Sequence, residues 1–278
     1  MTRPVLLKFG GELLEDRSHL ETVVRAVTSA ARTRPLAIVH GGGKEIDAAL
    51  RAAGIEKRQV DGLRITDAST LDVVVGVLAG RVNTRLVAAL QTAGVRAVGL
   101  TGADGGCGLC EPAPPHTTVD GRVVDLGRVG VPIATADVRV VDAMVAAGYV
   151  PVVACIGLGT DGLLYNVNAD TFAGHLAARL QAARLVIAGT TPGVLDAAGA
   201  TLPEIGAEEV ERLIGSGTAT AGMVAKLRAC QAALHAGVAD VVIVDGRDAA
   251  SLERALVAAP PRSSTTRLVP VPAPVTHP

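Results

Sequence analysis

A lysine followed by two glycines near the start of the chain is the first group of residues that could do chemistry. An apolar run of strand length leads into Lys8, and Gly10 and Gly11 follow. Such a run is typical of a buried parallel strand. A glycine pair lets backbone amides approach an anion because no side chain is in the way. The stretch predicts a strand that carries a cation to an anion-binding loop, although a structural turn would also fit the glycine pair.

A second glycine loop follows the next predicted strand. That strand ends at His40, and the glycines after it include Gly42 and Gly43, directly before a predicted helix over residues 44–53. A strand, a glycine loop and a helix in this order direct backbone amides at an anion from a helix N-terminus. The chain therefore has two loops that could serve the same anion.

Two further motifs point elsewhere and are weaker. Residues 157–162, GLGTDG, match a dinucleotide fingerprint, but strand-like residues follow instead of a helix, so we interpret them as a hairpin turn. Cys107 and Cys110 have the spacing of a metal or redox pair, with His116 nearby. They lack a second such pair and lie among glycines and prolines, so we predict a surface loop with reduced thiols and no metal.

Composition excludes several classes of function. The 278 residues carry a net charge of −1, and two Phe, two Tyr and no Trp leave few stacking platforms, so we expect no nucleic-acid partner. The uncharged residues 143–160 are broken by Gly148 and Pro151, which argues against a membrane span. No secretory signal opens the sequence, so we expect a cytoplasmic protein.

Strand and helix patterns alternate along most of the chain. The predicted strands occupy residues 5–9, 36–39, 95–101, 150–156, 184–188, 241–244 and 266–269. The predicted helices begin at a capping box over residues 18–21 and continue at residues 44–53, 66–91, 135–147, 170–180, 206–214, 222–236 and 249–257. An Asp-Gly turn at residues 120–121 predicts a hairpin beside the sheet. The alternation predicts an α/β fold with a mainly parallel sheet covered on both faces.

These motifs, in this order and over nearly the whole chain, resemble the amino acid kinase family. The matching stretches are LLKFGGELL, IVHGGGKEID, DGLRITD, GVLAGRVNTRLV, AVGLTGADGG, VDLGRVG, GYVPVVACIG, YNVNADTFAGHLA, PGVLD, AGMVAKL and VVIVDGR. Each is weak alone, but together they are specific. The resemblance implies a three-layer αβα sandwich with a mainly parallel central sheet. It also implies a substrate-binding and dimerisation half at residues 1–174 and a nucleotide-binding half at 175–269. The chain from Pro260 is rich in Pro, Ser and Thr, which predicts a disordered tail at residues 270–278.

The chemistry implied by the resemblance is transfer of the γ-phosphoryl group of ATP to the side-chain carboxylate of N-acetyl-L-glutamate, in arginine biosynthesis. A carboxylate with a pKa of about 4.3 is already ionised at neutral pH, so the reaction needs no general base. It needs compensation for the negative charges brought together on nucleophile, phosphoryl and leaving group. ATP and Mg²⁺ are the implied cofactors, with the metal bridging phosphate oxygens and having few protein ligands.

The resemblance also implies roles for individual residues. Lys8 would stabilise the transferring phosphoryl group, Lys226 would do so from the nucleotide side, and Asp170 would hold both ammonium groups, although a plain helix cap would also suit Asp170. Arg64 would grip the α-carboxylate, a bidentate task that suits a guanidinium, and Asn166 would contact the substrate. Loop residues complete the implied site, with Gly42 and Gly43 on the substrate and Gly10, Gly11, Thr190, Gly193, Gly222 and Met223 on the nucleotide.

One departure from the family pattern keeps alternatives open. Thr190 stands where the family usually has an aspartate in the nucleotide loop, so a carboxylate's role there is lost. A non-catalytic nucleotide-binding regulator is one alternative, which retention of both lysines disfavours. A kinase for carrier-linked aminoadipate or glutamate, or for a free amino acid, is another. The resemblance further implies a homodimer, and we expect it to be insensitive to arginine because no extra helix precedes the first strand.

Overall fold

A largely parallel sheet runs through the part of this computed structural model that is described, residues 2–118, 120–219, 221–258 and 264–269. Its strands and those of the smaller sheets are β1 (Val5–Phe9), β2 (Leu36–His40), β3 (Gln59–Val60), β4 (Leu63–Arg64), β5 (Ala97–Thr101), β6 (Leu109–Pro112), β7 (His116–Thr117), β8 (Val123–Val124), β9 (Val129–Pro132), β10 (Val150–Ala154), β11 (Ile156–Gly159), β12 (Leu164–Val167), β13 (Arg184–Gly189), β14 (Glu204–Ile205), β15 (Val241–Asp245) and β16 (Thr265–Leu268).

Helices cover this sheet and follow the predicted alternation. They are α1 (Glu12–Glu15), α2 (Arg17–Ala31), α3 (Gly43–Ala52), α4 (Ala68–Val75), α5 (Asn83–Thr92), α6 (Arg139–Ala146), α7 (Ala169–Arg179), α8 (Ala207–Gly215), α9 (Ala221–His235) and α10 (Ala249–Val257), with a π-helical segment at Gly76–Val82 and a 3₁₀ turn at Asp104–Gly106. Helix α2 packs on α10 and α5, and α7 packs on α9 and on β1.

The order of the eight described strands in the main sheet places β1 near its centre. The order is β14-β16-β15-β13-β1-β2-β10-β5. Every pairing is parallel except that of β15 with β16. Every residue of β1, β2 and β10 is buried, as expected for strands covered on both faces. The predicted mainly parallel α/β fold is confirmed, and Lys8 lies in its central strand.

Smaller sheets lie beside the main one. Strands β6, β9, β11 and β12 close into a small barrel, and β3 pairs with β4 and β7 with β8 as antiparallel hairpins. The GLGTDG sequence joins β11 to β12, which are antiparallel, so its interpretation as a hairpin turn is confirmed. Gly162 has a φ of +79°, a left-handed conformation that favours glycine.

Several predicted boundaries are wrong. Helix α2 is capped by Asp16 instead of the capping box at residues 18–21, because the Asp16 carboxylate accepts hydrogen bonds from the amides of Ser18 (2.7 Å) and His19 (3.3 Å). Helix α6 begins at Arg139 instead of residue 135, and the strand predicted over residues 150–156 ends at Ala154. Polar side chains near a helix start offer competing caps, and tertiary geometry selects one.

The predicted division into two halves stays a prediction. Its boundary at residues 174–175 falls inside α7, and β1 pairs with β13 across it, so one sheet spans both halves. The edge strand predicted at residues 266–269 is present as Thr265–Leu268. The predicted tail, residues 270–278, lies outside the described residues.

The prediction of a surface loop around the cysteines is wrong. Cys107 and Cys110 are both fully buried, and Cys110 belongs to β6 of the barrel. A Cβ on Gly130 or Gly157 would lie 2.7 or 2.8 Å from the Cys110 sulfur, so two glycines make room for this thiol. Burial raises the pKa of Cys107 to about 12 and that of Cys110 to about 11. The described residues contain no group of three or more His, Cys, Asp or Glu that could hold a metal.

We expect the native protein to resist thiol reagents. The thiolate is the reactive form, and all four cysteines are free and buried. Ellman's reagent at about pH 8 should label almost no thiol in the native protein and all of them in denaturant. Rapid labelling of the native protein would contradict this expectation.

One helical stretch among the described residues, Ala68–Thr92, is long and apolar enough to cross a membrane by length and composition. It comprises α4, the π-helical segment and α5. Its buried side chains, including Val74, Leu78 and Leu86, belong to the hydrophobic core of the sheet and its helices. Core helices pass the same test, so this stretch is weak evidence for a membrane. Residues 143–160 are divided among α6, β10 and β11.

Candidate active site

Two buried lysines converge on one aspartate at the end of the central strand. The Nζ of Lys8 lies 2.7 Å from Oδ1 of Asp170, and the Nζ of Lys226 lies 3.5 Å from the same oxygen. Lys8 and Asp170 are 5% and 9% exposed, so this cluster is largely shielded from solvent. Two ammonium groups and one carboxylate leave a net positive charge, and the cluster therefore attracts an anion.

The pKa values of the three groups reflect this arrangement. Burial disfavours the charge of Lys8, but the adjacent Asp170 outweighs burial and raises its pKa. Burial, followed by repulsion from Lys8, lowers the pKa of Lys226. Burial disfavours the Asp170 carboxylate, yet both lysines together lower its pKa. Asp170 thus satisfies Lys8 and leaves Lys226 under-compensated, while Glu12 makes a smaller contribution to both lysines.

The structure brings these residues together from three distant parts of the chain. Lys8 is carried by β1, Lys226 by α9 and Asp170 by the first turn of α7, which packs on both. The Asn168 side chain caps α7 by accepting from the amides of Asp170 (2.9 Å) and Thr171 (3.1 Å). The alternative that Asp170 is only the helix cap is therefore wrong. Because Asn168 does that task, the Asp170 carboxylate is free to face the lysines.

The two glycine loops are in contact beside this cluster. A Cβ on Gly11 would lie 2.7 Å from Cα of Gly42, so the loops touch only because both positions lack side chains. A Cβ on Gly10 would lie 1.9 Å from Oε2 of Glu12, so a carboxylate already fills the space above Gly10. A Cβ on Gly42 would lie 2.8 Å from the Leu78 side chain, in the π-helical segment. These loops form a cradle in which anionic oxygens fit.

A buried pair of polar residues, His40 and Asn83, holds the second glycine loop in place. His40 is fully buried, and its Nδ1 lies 3.1 Å from the carbonyl oxygen of Gly41. Its Nε2 lies 3.1 Å from Nδ2 of Asn83, which also donates to the carbonyl of Val152 at 2.8 Å. With Nδ1 donating and Nε2 accepting, the imidazole is neutral and both nitrogens are satisfied. The loop is thereby tied to β10 and to the start of α5.

Acid should weaken the fold through His40. Burial lowers the pKa of His40 from 6.5 to about 4, so the unfolded chain binds a proton that the folded protein does not. This contribution is present above the unfolded pKa and is lost as pH falls towards 4, by about 3 kcal/mol at most. Urea unfolding at several pH values should show a shallower decline for His40→Gln. The exposed His235→Gln is the control, and an equal slope for both variants would contradict the assignment.

Of the predicted substrate-side residues outside the second loop, Arg64 contacts that loop, whereas Asn166 lies in β12. Arg64 has a side chain only 8% exposed, and its Nη2 lies 2.5 Å from Oδ1 of Asp47 and 3.4 Å from the carbonyl of Gly43. The other terminal nitrogen, Nη1, is buried and has no hydrogen-bond partner among the described residues. Asn166, in β12, donates to Oγ1 of Thr66 at 3.2 Å. Their roles towards substrate remain predictions.

Besides Gly10 and Gly11, the predicted nucleotide-side residues lie after β13 and at the start of α9. Thr190 directly follows β13, and Gly193 has a φ of +106° with the side chain of Thr266 close by. Gly222 and Met223 lie in the first turn of α9, ahead of Lys226, and Met223 packs against the core. Contact of these positions with a nucleotide remains a prediction.

Sequence reasoning missed three polar residues around the site. Glu12 stands in the first motif but received no role, although a carboxylate just after a glycine pair is a usable signal. Asp47 lies one helical turn after Gly43, a spacing that puts it near the same loop. Asn83 lies within a matching stretch, but its link to His40 depends on tertiary packing that no local pattern shows.

The sequence of this chain is similar to those of known proteins. The amino acid kinase family profile matches residues 3–245. A relative named acetylglutamate kinase, from Methanopyrus kandleri, is 42% identical over 243 residues, covering 86% of this chain and 94% of that protein. Another acetylglutamate kinase, from Chloroflexus aurantiacus, is 43% identical over 248 residues, covering 88% and 93%.

Solved structures share the fold. N-acetylglutamate synthase from Neisseria gonorrhoeae, complexed with coenzyme A and N-acetyl-glutamate, has a TM-score of 0.79 at 24% identity, covering 96% of this chain and 59% of that one. Isopentenyl phosphate kinase has a TM-score of 0.63 at 21% identity, covering 95% and 99%. At these identities the likeness concerns the fold alone. Since the family profile and the relatives both span most of its length, this chain belongs to the amino acid kinase family.

Proposed function

We propose that this protein transfers the γ-phosphoryl group of ATP to the side-chain carboxylate of N-acetyl-L-glutamate and produces an acyl phosphate. The observation that carries the proposal is the convergence of Lys8 and Lys226 on Asp170 beside two touching glycine loops. The relatives named acetylglutamate kinase support the choice of substrate. The arginine pathway follows from that substrate.

The mechanism is electrostatic. The attacking carboxylate is ionised at neutral pH, so no residue has to remove a proton. Lys8 and Lys226 lower the energy of the transition state by placing positive charge where negative charge develops, in a site that water barely reaches. Asp170 holds both ammonium groups so that they need not reorganise during the reaction. The net positive charge of Lys8, Lys226 and Asp170 fits a phosphate group at this place, provided that the phosphate displaces the Glu12 carboxylate above Gly10.

Mg²⁺ fits the same site as a partner of ATP. When bound with ATP, it would neutralise part of the charge of the phosphates. The described residues have no group of three acidic or histidine ligands that would hold the ion alone. This donor set suits a metal that the phosphates would chiefly hold, with Asp170 as an acidic side chain at the cradle.

The direct test is ADP release from ATP and Mg²⁺, with the acyl phosphate trapped as a hydroxamate. N-acetylglutamate is compared with glutamate, aspartate and aminoadipate. Turnover confined to N-acetylglutamate is the expected result. Turnover with another of these acids, and not with N-acetylglutamate, would identify that acid as the substrate. Nucleotide binding without turnover of any acid would favour a non-catalytic regulator, the alternative suggested by Thr190 in the nucleotide loop.

The assembly and location belong to the same proposal. We infer a homodimer in the cytoplasm, on the basis of the family resemblance. Light scattering of the purified protein tests the assembly by its mass. A monomer or a hexamer would contradict the dimer without affecting the proposed reaction.

Glu12 should oppose nucleotide binding. Its carboxylate fills the space above Gly10, so an arriving phosphate has to displace a like charge. We expect Glu12→Gln to lower the KM for ATP about fivefold, the effect of one like charge removed near the phosphate. Glu15→Gln, next to the same loop and paired with Lys44, is the control. A raised KM for ATP, overcome by extra Mg²⁺, would show instead that Glu12 helps to bind the metal.

A further inference from the structure

Arg64 is oriented by a second layer of charged residues. Its guanidinium is buried, and one terminal nitrogen, Nη2, lies 2.5 Å from Oδ1 of Asp47. The other, Nη1, is buried, and no residue in the described part of the chain accepts a hydrogen bond from it. A buried donor without an acceptor is costly and rare, which indicates that an acceptor comes from a ligand. Asp47 therefore binds Nη2 of Arg64 and leaves Nη1 available for that ligand.

Asp47 is itself held by a second cation. Its Oδ2 lies 2.6 Å from Nζ of Lys57, while its Oδ1 faces Arg64. Burial disfavours the Asp47 carboxylate, but Lys57 and Arg64 together lower its pKa. Asp47 projects from α3, the helix whose first residue is Gly43 of the second glycine loop. Both carboxylate oxygens are thus used, and the side chain is fixed relative to that loop.

The charges of the three residues explain why Lys57 is needed. Arg64 and Asp47 alone would form a neutral pair that attracts an anion only weakly. Lys57 restores a net positive charge without occupying the free nitrogen of Arg64. In this arrangement Asp47 holds the guanidinium of Arg64 in place, and Lys57 supplies the positive charge that attracts an anion.

We propose that Asp47 and Lys57 form a brace that positions Arg64 and sets the affinity for the α-carboxylate of the substrate. This inference rests on the proposed function, in which Arg64 binds that carboxylate. Asp47 and Lys57 are positioning residues, because they act on the substrate through Arg64. The brace makes the site selective for substrates that keep a free α-carboxylate.

The test compares N-acetylglutamate with its α-carboxamide, which keeps the reacting side-chain carboxylate. In the wild type, kcat/KM should be much higher for the acid. Asp47→Asn should raise the KM for the acid at least about tenfold and leave the KM for ATP and kcat nearly unchanged. The preference for the acid over the amide should shrink by the same factor, because only the acid uses Arg64.

Further variants separate positioning from folding. Lys57 is partly exposed, so Lys57→Gln should fold, raise the KM for the acid severalfold and reduce the preference, while Lys57→Arg should restore both. Asp72→Asn, an exposed aspartate on α4, should change nothing. The brace would be overturned if Asp47→Asn and Lys57→Gln lowered kcat/KM equally for the acid and the amide. It would also be overturned if the preference for the acid stayed unchanged in both variants.

The outcomes also separate the brace from the proposed function. Wild-type turnover of N-acetylglutamate tests the function by itself. If the wild type phosphorylates another acidic amino acid, the same ratio is measured with that acid and its α-amide. If no acid is phosphorylated, calorimetry of N-acetylglutamate and its α-amide gives the preference as a ratio of dissociation constants. A wild type without preference for the α-carboxylate overturns the brace in each case.

Discussion

Replacing Lys8 by glutamine should lower kcat roughly 10²–10³-fold, the usual effect of removing one preorganised charge from a transition state. Lys8 is buried in the central strand and pairs with Asp170 at 2.7 Å, so its ammonium group is fixed before the reaction begins. The KM for N-acetylglutamate should change little, because the lost interaction is made mainly in the transition state. Steady-state kinetics with coupled ADP detection gives both constants.

Lys44→Gln is the matched control for this prediction. Lys44 adjoins the same glycine region, but its side chain is 72% exposed and pairs with Glu15 at the surface. Its replacement should leave kcat within about twofold of the wild type, as for an ordinary surface charge. A similar loss in both variants would mean that general electrostatics, and not the position of Lys8, governs the rate.

Replacing Asp170 by asparagine should cost roughly 3–5 kcal/mol of unfolding free energy, as when one partner of a buried ion pair is removed. The change leaves the ammonium groups of Lys8 and Lys226 facing each other without an anion. Urea denaturation at neutral pH measures the loss. The wild type holds this contribution above the ordinary aspartate pKa and loses it as pH falls through the lowered folded pKa, so the two proteins should converge in acid.

A second variant tells charge repulsion from lost packing. Lys226→Met in the Asp170→Asn background removes one of the two facing charges and should recover much of the lost stability. Sulfate should stabilise Asp170→Asn more than the wild type, because the unpaired lysines then bind the anion. The prediction would be contradicted if Asp170→Asn lowered the unfolding free energy by less than about 1 kcal/mol and adding Lys226→Met recovered none of it. The two lysines would then keep their charges without help from Asp170.

Local patterns in the sequence predict the sheet well. The runs at β1, β2 and β10 are apolar at nearly every position, and only a strand covered on both faces buries such a run. The antiparallel pairing around Gly162 was also predictable, because no helix start follows the glycines. The failures concern Asp16, Cys110 and the start of α6, where several local structures have similar energies and long-range packing selects one.

The sequence by itself determined the buried strands, the two glycine loops and the family, because these depend on residues that are neighbours along the chain. Only the tertiary structure decided that Asp170 faces Lys8 and Lys226. Asp170 has the local pattern of a helix cap, and it is released for the site because Asn168 caps α7 instead. Likewise, Asp47 acquires its place beside Arg64 only when α3 packs near β4. Charges far apart in sequence interact through distance in space, which the fold alone sets.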